Sequence, residues 1–234
     1  MTRRIWLSLL AAGLTGALSL AVALGPAGAQ SPYTIILGAA APADASCPAD
    51  CLVEAEVTGF QTSIGKIRNP FVVPSAGNVV AWSIKLGKPR KPDRRSFTEE
   101  FGASVARLAV LRQVPGRSDP PRYKLLRQSP VEQLAPFFGS TTTFTLTTPL
   151  AAKRGDVVAL TIPSWAPAFA VNQSNATKWV ASRRRTKKRG GCADDDGRAN
   201  IDAGAPHVKK GTQRPYGCVY EGARLLYSAT FLPD

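Results

Sequence analysis

Histidine is almost absent from this chain: His207 is the only one among 234 residues, alongside one methionine and four cysteines. A Ser-His-Asp arrangement would have to recruit His207, which sits among Gly, Pro and Lys in a polar stretch, and no G-x-S-x-G elbow exists. His207 is therefore expected at the surface. Zinc needs paired short spacings or histidine partners, and the chain offers one C-x-x-x-C and one histidine. Acids are scarce as well, 16 against 30 Lys and Arg. A glycosidase needs only two carboxylates across a cleft, and Glu99, Glu100, Glu132 and Glu221 remain formally available, but no spacing singles out a pair. The reading is non-catalytic, with no cofactor and no metal.

Long apolar runs are missing too, with one exception. Arg3 and Arg4 precede Ile5 to Leu24, followed by Pro26 and the small-residue site Ala27-Gly28-Ala29. This order is that of an export signal over residues 1–29, removed from the mature chain, rather than a retained anchor. Thr2 to Leu7 also looks like a twin-arginine motif behind a very short leader, so the export route stays open between the two pathways. The expected location is secreted or cell envelope. In that setting Cys47, Cys51, Cys192 and Cys218 are expected as disulfides, and three connectivities are possible. Cys47–Cys51, a small ring within an N-terminal segment 30–51, and Cys192–Cys218, closing a long polar loop over 182–217, are favoured.

Losing Arg3 and Arg4 takes the formal charge from +14 to +12. Two clusters carry eleven of those charges. Lys85, Lys88, Arg90, Lys91, Arg94 and Arg95, offset by Asp93, form one. Arg183, Arg184, Arg185, Lys187, Lys188 and Arg189 form the other and are the candidate anion-binding set. Such clusters hold anionic polymers in a salt-dependent way. Neither interleaves aromatics, which weakens a single-strand nucleic-acid reading, and export excludes an intracellular nucleic-acid partner. Asp194, Asp195 and Asp196, with Asn200 and Asp202, are dense in oxygen ligands but do not match an EF-hand register. They read as a charge-balanced loop.

What the chain has in plenty is period-2 alternation broken by Gly, Pro, Asn and Ser. Residues 52–58, 78–86, 106–114, 122–128, 141–147, 157–162, 178–182 and 224–232 read as strands, and 33–37 as an edge strand. In 52–58 the alternation places Val53, Ala55 and Val57 on one face and Glu54 and Glu56 on the other. In 78–86 it places Val80, Trp82, Ile84 and Leu86 inward. Arg154-Gly155-Asp156 reads as a turn, and the single helical suggestion lies near 97–105. The fold class is all-β, an antiparallel β-sandwich, with one domain over 52–234.

The succession 71–84 (FVVPSAGNVVAWSI), 106–112 (ARLAVLR), 144–162 (FTLTTPLAAKRGDVVALTI) and 223–234 (ARLLYSATFLPD) resembles a set of exported bacterial single-domain proteins to which no activity is assigned. The layout also looks like a jelly-roll module. What the resemblance implies is structural, since jelly rolls host capsids, lectins and enzymes alike.

Strand parity gives a candidate site. If strands from 78 onward run antiparallel, the connections 87–105, 129–140 and 163–177 share one end. That end gathers Arg90, Arg94 and Arg95 with Phe137, Phe138, Trp165 and Phe169. Loops on a rigid scaffold are common binding sites, and aromatics beside cations suit a polysaccharide or anionic polymer as partner. Trp165 reads as lying outside the strand alternation and Trp82 as core. The second basic cluster is expected at the opposite end.

Overall fold

Strand β4 (Gly77–Lys85) buries Val79, Trp82 and Ile84. Its register shifts between Val79 and Ala81, so Val79 rather than Val80 joins the inward face. It pairs on one side with β8 (Thr141–Ala152) and on the other with β15 (Tyr227–Pro233). The short β1 (Ile35–Leu37) then pairs with β15 at the edge, completing a four-stranded sheet. The computed structural model describes residues 33–183 and 203–234, and these belong to one compact unit.

A second, larger antiparallel sheet is centred on β9 (Val157–Ala166). It runs β12 (Gln213–Pro215), β6 (Arg122–Gln128), β5 (Val105–Gln113), β9, β2 (Glu54–Ile64), β11 (Lys178–Ala181) and β13 (Cys218–Glu221). The two-residue strands β3 (Ile67–Arg68) and β7 (Glu132–Gln133) attach to β2 and β5. A separate pair joins β10 (Phe169–Ala170) to β14 (Arg224–Leu225). Trp82, Ile84 and Phe231 of the first sheet and Val57, Leu108 and Ile162 of the second belong to one buried cluster. Tyr227 ties them: its ring stacks on Phe71 at 4.2 Å and its hydroxyl donates to the Val158 carbonyl at 3.1 Å. Antiparallel β-structure therefore dominates, as the alternation requires.

Several elements depart from the pattern reading. The one α-helix among the described residues, α1 (Lys91–Phe101), starts earlier than expected and takes in Lys91, Arg94 and Arg95 of the first basic cluster. Pro92 is tolerated in its first turn, where the amide has no helical acceptor. Strand β2 runs on to Ile64 through Gly59, Gln61 and Ser63, which are buried or nearly so. Strand β9 continues through Pro163 to Ala166, so Trp165 is a strand residue and only 1% exposed. The 224–232 run divides, Arg224–Leu225 facing β10 and Tyr227 onward joining the smaller sheet.

Glu54 is the largest reversal of facing. The β2–β9 register slips between Ala55 and Val57, so Glu54 and Val57 lie opposite Ala166 and Ile162, which have equal parity. Glu54 thus turns inward with Val57 and is 8% exposed. The long polar stretch is also partly structured. Residues 203–215 fold back on the larger sheet: the Ala205 amide donates to Ser182 O, the His207 amide to Thr58 Oγ1, and β12 adds to β6. His207 is accordingly fully buried, not at the surface. Cys47–Cys51 is bridged, and no free thiol occurs among the described cysteines. Cys192, the expected partner of Cys218, lies outside the described residues.

Candidate functional site

Three connections meet at one end of the sheets and enclose an open groove of about 590 Å³. From α1 come Lys91, Arg94, Arg95, Thr98 and Glu99; from the 129–140 connection, Ala135 and Phe138; and from the end of β9, Trp165. Antiparallel alternation produces the convergence, because β4, β6 and β9 all leave their sheets in the same direction. Phe138 and Trp165 approach at 5.5 Å, and Phe97 of α1 meets Trp165 at 5.2 Å.

Trp165 is the floor rather than an exposed platform. Its indole N–H donates to Gly102 O at 2.9 Å, and Ser104 Oγ donates to its carbonyl at 2.8 Å, anchoring the return from α1 to β5. Phe138 is half-buried, and its partial exposure leaves aromatic surface to the groove. Phe137 packs instead on Phe144 at 5.5 Å. Phe169 is 8% exposed and packs edge-on against Trp179, so it belongs to the core and not to the site. Arg90 is the N-cap residue of α1 and is exposed, but it is not among the residues lining the groove.

The cations divide by role. Arg95 Nε donates to Glu99 Oε1 at 2.7 Å along the helix, a contact worth only a few tenths of a kcal/mol, about 0.3–0.5, when exposed. Lys91 and Arg94 stand exposed beside it. Glu99 is the one carboxylate lining the groove. Among the other candidate acids, Glu221 pairs with Lys178, and Glu132 lies in β7. Among the described residues, no two carboxylates line the groove.

The second basic cluster is corrected at its first member. Arg183 is 4% exposed and its Nη2 donates to Glu54 Oε2 at 2.9 Å. Its guanidinium also lies 5.5 Å from the Tyr220 ring centroid and 5.9 Å from that of Trp179, and it donates to the Tyr220 hydroxyl. Desolvation opposes its charge, but Glu54 and Tyr220 outweigh that and hold its pKa above the ordinary value. Burial pushes Glu54 up despite the Arg183 attraction. Arg183 is a structural ion. Arg184, Arg185, Lys187, Lys188 and Arg189 lie outside the described residues, as do Asp194, Asp195 and Asp196.

Arg154-Gly155-Asp156 is a turn. Gly155 has φ of 84°, and the buried Asp156 accepts from the Lys153 amide and, through both oxygens, from Arg112 at 2.7 and 3.0 Å. The carboxylate faces its own fold. Pattern reading missed one feature altogether: the buried Arg224, whose only sequence signal is a cation standing inside an apolar strand run.

No protein-family model matches the chain, and no curated protein or solved structure matches it either.

Proposed function

We propose that the chain is an exported, non-catalytic binding protein whose groove holds an extracellular or cell-wall polysaccharide. The observation that carries this is the pairing of a half-exposed Phe138 with the Trp165 floor, beside the exposed cations Lys91 and Arg94. Aromatic surface suits the apolar faces of sugar rings, and the cations suit hydroxyl or acidic groups along the chain. The volume falls within the range of built ligand sites, about 300–1,000 Å³. Export rests on the 1–29 segment, whose cleavage predicts Gln30 as the N-terminus of protein recovered from the envelope or medium. No helix among the described residues is long and apolar enough to cross a membrane.

The scaffold is in our reading a jelly roll. Eight strands in chain order, β1, β2, β4, β5, β6, β8, β9 and β15, fall into the orders β1-β15-β4-β8 and β6-β5-β9-β2. First beside last, and third between last and sixth, is the arrangement expected of two interlocked Greek keys. Strands β11 and β13 extend the second sheet beyond β2.

The test is polysaccharide pulldown with the mature chain and with Phe138→Ala, at low salt and at about 0.5 M salt. The proposal expects Phe138→Ala to lose about tenfold in affinity, roughly 1.4 kcal/mol, and binding to survive the salt. Release by salt alone, with Phe138→Ala unaffected, would favour the second reading, an adhesive envelope protein that binds anionic polymers through charge.

A further inference from the structure

Arg224 is buried without a carboxylate. It is 8% exposed, and no acidic side chain among the described residues pairs with it. Its Nη1 donates to Ala41 O at 2.7 Å. On its other edge, Nη2 reaches Gly38 O only at 3.5 Å, and Nε has no partner. That Nε–Nη2 edge is the one Arg112 presents to the two oxygens of Asp156 in this same protein. Buried charges are normally paired, and burial lowers the Arg224 pKa here.

Beside Arg224 lies a concavity of about 300 Å³ on the smaller sheet. Lys85 and the Ser83, Thr141 and Ser228 side chains also line it, with Ile36 and Leu226 supplying apolar wall. Lys85 Nζ donates to Ala43 O at 2.7 Å and to Asp44 Oδ1 at 2.8 Å. Asp44 is fully exposed, and its hydrogen bond and attraction to Lys85 hold its carboxyl below the usual range. The pocket therefore presents two cations, and the acid at its rim is a solvent-exposed side chain of the 38–44 segment, free to leave.

We propose that this pocket binds a carboxylate-bearing molecule of monosaccharide size, its carboxylate pairing with Lys85 in place of Asp44 and held beside the charge of Arg224, which has no acidic partner of its own among the described residues. Charge-assisted bonds from an ammonium to a carboxylate are the strong ones. The lining shares no residue with the groove, so the site stands apart from the polysaccharide reading.

Titration calorimetry of the mature chain with glucuronate, and with glucose as the neutral isostere, tests it. Glucuronate binds and glucose does not. Asp44→Asn removes the internal competitor and tightens glucuronate about threefold, while Lys85→Gln weakens it about tenfold. Phe138→Ala leaves it unchanged, which separates this outcome from failure of the groove. Equal binding of glucose, or weaker glucuronate binding in Asp44→Asn, would overturn the proposal.

Discussion

At Arg183 the basic run of the sequence passes into the interior. Counting charge along the chain makes Arg183 the first member of a polar loop. Parity could have separated it from its neighbours, since Trp179, Ala181 and Arg183 share one face of an extended segment. What parity could not supply was the acid, because Glu54 turns inward only through a register slip in β2. With one partner removed, the other is left as an uncompensated buried charge. Replacing Arg183 with Met is expected to destabilise the fold by about 3–5 kcal/mol, read from the urea midpoint. The double change with Glu54→Gln should cost clearly less than the two single changes added together, since it leaves no buried ion. Additive losses would show that the pair acts as two separate contacts.

Helix α1 buries none of its residues, whereas strand β2 buries most of its own. Alternation made most strands legible, because one buried face imposes period 2 on the residues. It failed where both faces are covered. The alternation read over 52–58 stops short of Gly59, Gln61 and Ser63, yet β2 continues through them, with β11 paired to it. A Cβ on Gly59 would sit 2.8 Å from Trp179, so Gly59→Ala is expected to cost about 1–3 kcal/mol by overpacking, measured by chemical denaturation. The helical suggestion near 97–105 meets only the last part of α1, since charge hides the pattern of its first turns, and none of its residues is buried. Its main tertiary hold is Phe97 against Trp165. Hydrogen exchange should therefore show α1 amides exchanging long before those of β5 and β9. Phe97→Ala should speed α1 exchange and leave the core strands unaffected. Equal protection across helix and core would contradict a locally opening α1.

Across the whole molecule, the least legible feature was the return of residues 203–215 onto the larger sheet. Nothing in a run of Gly, Pro and Lys announces that it will cover a buried Thr58–Thr161 hydroxyl pair, since the determinants are distant backbone groups. The lone histidine is where that covering has a measurable consequence. The His207 ring stacks near Tyr216, Nδ1 meets Thr212 Oγ1 at 3.2 Å, and Nε2 has no partner. The Thr212 hydroxyl donates to Lys209 O, so Nδ1 carries the proton toward Thr212 and Nε2 is bare. Desolvation, then repulsion from Arg214, lowers the His207 pKa from 6.5 to about 4. Above pH 6.5 neither the folded nor the unfolded chain protonates this ring, and its full stability is present. As pH falls from 6.5 toward about 4, the unfolded chain takes a proton that the folded one refuses. Stability attributable to His207 drops across that window by about 3 kcal/mol in all and then levels off. The carboxylates of the chain also take up protons as pH falls. Comparing the wild type with His207→Gln cancels that contribution. The difference in unfolding free energy between the two chains should change by about 3 kcal/mol from pH 7 to pH 4, the wild type losing more. Parallel pH profiles would mean that the 203–215 segment opens to protonation without unfolding the sheets beneath it.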